Sequence, residues 1–219
     1  MNELISRKNF LLQSSSVATG LVGGIQANIS NPIGFLDDNP SNHSRDLHGY
    51  EILGGFSWLN KNQKKENIYV INSIARNTMI RKKSNLILES LGAKFTNLIH
   101  PTVNLNFCKS IGKGNIIFEY SSLKIQSSIG NHNMLLNGVI LGHNTSIGSY
   151  CFLGHNSVCQ GNVTVGDEVF IGSGSNVFPS IKVNTLSTLS IGTILTVDTK
   201  SNFIYSFISS FWCFFIFKK

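Results

Sequence analysis

Every sixth residue from Ile99 to Leu195 is aliphatic, with Cys159 the only exception, and no insertion breaks the register. A period of six fits neither a helix, at about 3.6 residues per turn, nor a strand that alternates every second residue. It is the hexapeptide repeat of a parallel β-helix, in which each hexad forms one flat side of a triangular coil. The residue after the aliphatic anchor is often glycine (Gly112, Gly130, Gly142, Gly148, Gly154, Gly166, Gly172), which suits a corner where the backbone bends sharply or takes positive φ. Four positions after the anchor comes a small or β-branched residue, among them Ser121, Thr145, Cys151, Ser157, Val163 and Ser175. A narrow prism needs one large and one small inward residue per side, and the pattern supplies both. Each fully buried Ile, Leu or Val contributes roughly 1.5–3 kcal/mol, so the stack is stable without disulfides. Lys109, Asn115 and Asn133 break the small-residue rule, and the first turns are expected to be less regular, as terminal repeats are.

At 219 residues the chain holds one large or two small domains. Its formal net charge is +7, but the cations are scattered, with runs only at Lys61–Lys65 and Arg81–Lys83. The second run falls in a helix expected over Asn77–Leu91, where a solvated basic face explains it, and no nucleic-acid partner is expected. Of the four cysteines, Cys151 and Cys159 occupy inward repeat positions and read as small core hydrophobes. Cys108 and Cys213 stand alone without a Cys-x-x-Cys spacing, so neither a disulfide framework nor a zinc site is expected, and a reducing cytoplasm is the natural compartment.

Residues 1–98 are organised differently. Pro32–Pro40 reads as a short strand ending in an acidic turn, and Ile68–Ile71 as a second, buried strand ahead of the helix. Strands alternating with a helix predict a small α/β domain with a parallel sheet. The solenoid is expected over 99–198, and an aromatic segment follows over 199–219.

Several segments then occur in a family's order and spacing: Gly34-Phe35-Leu36-Asp37-Asp38, Gly49-Tyr50-Glu51-Ile52-Leu53-Gly54-Gly55, Asn97-Leu98-Ile99-His100-Pro101, Leu141-Gly142-His143-Asn144-Thr145-Ser146-Ile147-Gly148 and Gly161-Asn162-Val163. Over roughly Pro32 to Asp198 the chain resembles the bacterial sugar O-acyltransferases of the sialic acid O-acetyltransferase type, a group that includes N-acetyltransferases of UDP-4-amino-sugars. The resemblance implies a Rossmann-like nucleotide-sugar domain, a left-handed parallel β-helix and a homotrimer with acetyl-CoA bound between neighbouring β-helices. It implies acetyl transfer to a hydroxyl or amine of a sugar or nucleotide-sugar, with His143 as general base. A neutral imidazole suits that work at cytoplasmic pH. The family's residue after the histidine is commonly acidic; here it is Asn144, which hydrogen-bonds but supplies no charge.

His155 holds the same hexad position two sides further on, and in a trimer it would approach a neighbour's His143. Cofactor contacts are implied at His155, Gly161 and Gly172, with backbone amides near Gly161 receiving the developing oxyanion. Asp37 and Asp38 match the family's acidic pair near the nucleotide, and equally suit a turn.

Both ends depart from the family. Phe10-Leu11-Leu12 leads into Gln13-Ser14-Ser15-Ser16 in place of a glycine-rich phosphate cradle, and Gly20, Gly23 and Gly24 come late. Ser6–Leu11 partly matches a twin-arginine leader with lysine for the second arginine, but a coenzyme-A user belongs in the cytoplasm. Phe203–Phe217 is shorter than the about 20 residues of a membrane-spanning helix. It is an interfacial anchor, a plug for the solenoid's end or the product of an altered reading frame. Two further classes stand beside the enzyme: a catalytically degenerate trimeric scaffold, and a metal-dependent hydratase. The hydratase would need His132, His143 and His155 to converge, and their spacing lacks the close histidine pair of such sites.

Overall fold

The computed structural model describes residues 9–13, 21–22, 25–26, 32–43, 46–47, 49–62, 68–75, 77–206 and 215–218, with side chains over 33–43, 49–62, 68–75 and 77–206. Ser6–Lys8, the serines and glycines between Gln13 and Gly24 apart from the strand there, and residues 207–214 lie outside it, as do Gln63–Lys65 of the first basic run. The chain forms two compact units, 1–98 and 99–219.

The first unit contains β1 (Asn9–Gln13), β2 (Leu21–Val22), β3 (Ile25–Gln26), β4 (Pro32–Leu36), β5 (Asp46–Leu47), β6 (Tyr50–Gly54), α1 (Ser57–Asn62), β7 (Ile68–Asn72), α2 (Thr78–Ser90) and β8 (Lys94–Phe95). Its six-stranded sheet runs β5-β6-β4-β1-β7-β8. The expected all-parallel sheet is corrected to a mixed one: β4–β6 and β7–β8 are parallel, but β1 is antiparallel to both β4 and β7. Between β1 and β4 the described chain forms the antiparallel pair β2–β3 where a parallel neighbour would need a crossover connection. Leu36, Leu59, Ile68, Val70, Leu88 and Phe95 make the core of this unit.

α2 starts where Asn77 caps it, its side-chain oxygen accepting from the Ile80 amide at 2.9 Å. The solvated basic face expected there is corrected at Arg81, which is 2 % exposed and donates to the Ile74 and Ala75 carbonyls at 3.3 Å. Asn72 at the end of β7 donates to Ser84 Oγ (2.7 Å) and Asn85 Oδ1 (2.6 Å) beside it. The helix thus turns a polar face inward because the loop after β7 presents carbonyls that need donors. Lys83 stays exposed.

The second unit is a three-sided parallel solenoid. Two-residue strands pair with the strand eighteen residues on, Leu123 with Leu141, Leu141 with Cys159, Cys159 with Val177, so three hexads close one coil. The strands stack into three parallel sheets, an arrangement that fits a left-handed β-helix. Anchors from Ile117 to Leu195 are buried in one continuous core, with Cys151 and Cys159 inside it. Ile99, Leu105 and Ile111 are only partly buried, and Lys109 is exposed, so the first turns are the less regular ones expected.

Asn115 and Asn133 are not part of that irregularity. They point inward, and their amides donate to the Gly130 and Gly148 carbonyls, fifteen residues on, at 2.9 and 2.8 Å. Thr145 and Ser175 make the same bond to Gln160 and Ser190. Polarity four places after the anchor therefore satisfies a buried carbonyl of the next coil.

The glycine expectation is also corrected. Positive φ occurs at every sixth residue from Gly114 to Gly192, three places after the anchor, and includes Tyr120, Gln126, Asn144, Asn162 and Leu186. The glycines one place after the anchor lack it. They are needed because a Cβ on Gly142 would lie 2.5 Å from the Gln160 carbonyl carbon, and one on Gly154 2.5 Å from the Ser173 nitrogen. Close coil-to-coil approach selects these glycines, and the αL corner tolerates other residues.

Beyond Asp198 the hexad ends. Phe203–Ser206 continues the largest sheet, Ile204 pairing parallel with Thr188, and Phe215–Lys218 pairs antiparallel with it. Among the described residues no helix is long and apolar enough to cross a membrane.

Candidate functional site at the His143 edge

His143 follows the strand Ile140–Leu141 and sits on the prism edge where the chain turns toward Ser146–Ile147. Its side chain is exposed. An eighteen-residue coil places Phe107, Ile125, His143, Gly161, Pro179 and Val197 in one column along that edge. The imidazole packs over Gly161: a Cβ there would run into Nε2, with Cε1 at 2.7 Å. The absent side chain of Gly161 is the room the catalytic candidate occupies.

The edge carrying Lys113, Asn131, Ser149, Asp167 and Thr185 differs from the other two. On it each amide is capped by the side chain one coil on: Lys113 N by Asn131 Oδ1 (2.9 Å), Asn131 N by Ser149 Oγ (3.0 Å), Ser149 N by Asp167 Oδ1 (2.7 Å). At the His143 edge, Gly161 and Pro179 carry no side-chain acceptor. The corresponding amides, of His143 and Gly161, have no such cap among the described residues, and neither have those of Asn137 and His155 on the remaining edge. The Gly161 carbonyl is occupied by Ser180 N at 2.9 Å.

Asn144 takes the αL corner at φ 56°. Its Nδ2 stands 3.5 Å from His143 Nδ1 and donates to Asn162 Oδ1 at 3.3 Å. With the amide nitrogen toward Nδ1, that ring nitrogen accepts and the ring proton sits on Nε2. Turning the amide over places Oδ1 against an Nδ1–H and leaves the Nε2 lone pair free. Asn162 belongs to this arrangement and was missed in the sequence because only the eighteen-residue spacing connects it to Asn144.

The other candidates are placed elsewhere. His155, exposed, stands on the edge after Phe152–Leu153, in a column with Asn137 and Ser173, so one chain does not bring it to His143. Gly172 is buried, its N–H donates to the Leu189 carbonyl at 2.8 Å, and a Cβ on it would meet Ile191 N at 2.5 Å. In the first unit Asp37 is 1 % exposed, its Oδ1 accepting from Asn39 N (2.9 Å) and its Oδ2 from Asn42 Nδ2 (2.8 Å). Asp38 is exposed and uses Oδ1 to hold Phe56 N at 2.9 Å. His132 is buried and stacked on Tyr150, centroids 5.1 Å apart, on the third edge. Among the described residues no group of three His, Cys, Asp or Glu could hold a metal ion.

Residues 126–161 match the family described as bacterial transferase hexapeptide (six repeats), and no curated protein matches the chain. Three solved structures are similar in fold. PerB from Caulobacter crescentus, in complex with CoA and GDP-perosamine, is 20 % identical over 78 % of this chain and 80 % of that one, with a TM-score of 0.66. The acetyltransferase domain of PglB from Neisseria gonorrhoeae, in complex with acetyl coenzyme A, is 20 % identical over 78 % and 81 %, at 0.67. WeeI from Acinetobacter baumannii is 16 % identical over 82 % and 84 %, at 0.67. At these identities the likeness is one of fold: the chain carries the hexapeptide-repeat architecture of these proteins.

Proposed function

We propose that the chain is an acetyl-CoA-dependent acetyltransferase acting on a hydroxyl or amine of a sugar or nucleotide-sugar, working as a cytoplasmic homotrimer. The observation that carries the reading is the exposed His143 imidazole seated where Gly161 has no side chain. Similarity in fold to structures holding CoA, acetyl coenzyme A and GDP-perosamine supports the choice of substrates.

Acetyl-CoA supplies an activated thioester carbonyl. His143 Nε2 takes the proton of the sugar O–H or N–H as that atom bonds to the carbonyl carbon. The Gly161 N–H donates to the oxygen on which negative charge develops, where a preformed donor is worth about 3–4 kcal/mol of barrier. The C–S bond then breaks, and the imidazolium returns its proton to the departing sulfur, so the products are the acetylated sugar and free thiol. Asn144, turned with Oδ1 toward Nδ1, holds the tautomer this needs. His155, exposed, is the proposed coenzyme contact from another position of the solenoid and Asp38 the acidic contact for the nucleotide, whereas Gly172 is buried with its N–H and carbonyl both bonded and offers neither.

Calorimetric titration of acetyl-CoA and sugar-dependent thiol release, on the native chain and His143→Ala, tests the reading. Binding in both with release lost in the variant is expected. Asn144, uncharged where the resembling family commonly has an acid, favours a second reading as a catalytically degenerate scaffold; a folded trimer that binds no acetyl-CoA would establish that instead.

A further inference from the structure

The dipeptide His143-Asn144 has a counterpart at the same hexad positions, His155-Asn156. In both, an exposed histidine stands two places after the anchor and an asparagine takes the αL corner, φ 56° at Asn144 and 54° at Asn156. They differ one coil on: Asn144 is followed in its column by Asn162 (φ 61°), Asn156 by Gly174 (φ 67°). Asn144 Nδ2 is 3.5 Å from His143 Nδ1 and 3.3 Å from Asn162 Oδ1. Among the described residues no side-chain bond joins His155 to Asn156, whose Oδ1 lies instead over Gly138. A chain of ring, amide and second amide therefore forms at the His143 edge and not at its counterpart.

The second amide is held by its backbone, since Asn162 N–H donates to the His143 carbonyl at 2.8 Å. Its side chain bonds only to Asn144 among the described residues, so it is free to present either Oδ1 or Nδ2. The faces of the two amides are linked. With Asn162 Oδ1 accepting, Asn144 turns Nδ2 to the ring, Nδ1 accepts, and the neutral ring carries its proton on Nε2. With Asn162 Nδ2 donating, Asn144 turns Oδ1 to the ring, Nδ1 carries the proton and the Nε2 lone pair is open.

We propose that Asn162 is a positioning residue whose amide, acting through Asn144, selects the tautomer of His143. Its donating state readies Nε2 to take the proton of the incoming hydroxyl or amine. The consequence for turnover rests on the acetyltransferase reading; the tautomer does not.

The test compares the native chain with Asn162→Asp, which only accepts, and Asn162→Gly, which removes the group. Both replacements tolerate the αL corner, so the melting temperature should hold. In chains labelled with nitrogen-15 histidine, two-bond proton–nitrogen correlation spectra at about pH 9, above the ordinary histidine range, report the tautomer of each neutral ring. His143→Gln identifies the His143 signals. Asn162→Asp should move the His143 ratio about tenfold toward the Nε2–H form, Asn162→Gly by less, and the His155 ratio should stay as it is. In sugar-dependent thiol release kcat should fall by a similar factor in Asn162→Asp with KM for acetyl-CoA unchanged. In an Asn144→Asp chain the carboxylate accepts from Nδ1–H whatever stands at 162, so Asn162→Asp should no longer move the ratio. A His143 ratio equal in all three chains overturns the proposal, as does an equal shift at His155. So does faster thiol release in Asn162→Asp, the result expected if its charge alone acted on the ring. A shifted tautomer in a chain that releases no thiol supports the role of Asn162 and overturns the acetyltransferase reading alone.

Discussion

His143 and Gly161 act as one unit although eighteen residues separate them. Gly161 has no need of positive φ, so Gly161→Ala keeps the fold and moves only the ring above it. We expect sugar-dependent thiol release to fall by about 10²-fold, the scale of a 1 Å misplacement, with the melting temperature nearly unchanged. Asn144→Asp replaces an amide with two possible faces by a group that only accepts, and adds a charge that favours imidazolium. Turnover should rise, and the acidic limb of its pH profile should move to higher pH, because the variant's histidine holds its proton to higher pH. Unchanged turnover in both variants would remove His143 from the chemistry. At this scale the sequence was informative where chemistry and repeat position coincide, as at His143. Asn162 and the free Gly161 amide depend on contacts between coils, and those become visible only when the coil length is known.

The elements are hexads, and their glycines do two different jobs. Gly148→Ala would put a Cβ 2.7 Å from the Gly166 carbonyl carbon, backbone that cannot yield, and should destabilise the solenoid by about 1–3 kcal/mol in chemical denaturation. Gly174 takes φ +67° with nothing near its Cβ position, and Gly174→Asn should fall within about 0.5 kcal/mol of the native chain. Equal effects would mean that glycine serves conformation at both sites. The sequence showed that glycine follows the anchor but not why, since bending and close approach select the same residue. The inward asparagines misled for a similar reason: size set them apart from Ser and Thr, while their common bond to the carbonyl fifteen residues on unites them.

For the whole molecule, the aliphatic series was enough to read the solenoid, because a single side-chain period sets its cross-section. The first unit was less legible: strand positions showed, but the direction of β1 depends on how the chain returns to the sheet. The continuous core also has a titration signature. Burial, with Cys151 nearby, pushes the Cys159 thiol from 9.0 up to about 12. The unfolded chain loses that proton first, so stability is full below about pH 9 and declines toward pH 12, by at most about 1.4 kcal/mol per pH unit. Cys159→Val should flatten that decline in melts between those pH values; a slope equal to the native chain's would place its origin elsewhere.

The αL residue at every sixth position from Gly114 to Gly192 sets the phase of everything downstream. Losing one residue between two such corners would turn each later anchor out of the core, and even six would move every later column to another edge. Losing eighteen would not: excision of 163–180 joins Asn162 to Ile181, a position equivalent to Val163, and leaves His143 above Gly161. A chain built this way changes length in whole coils, so related proteins should differ in the height of the prism and keep the same edge for the histidine.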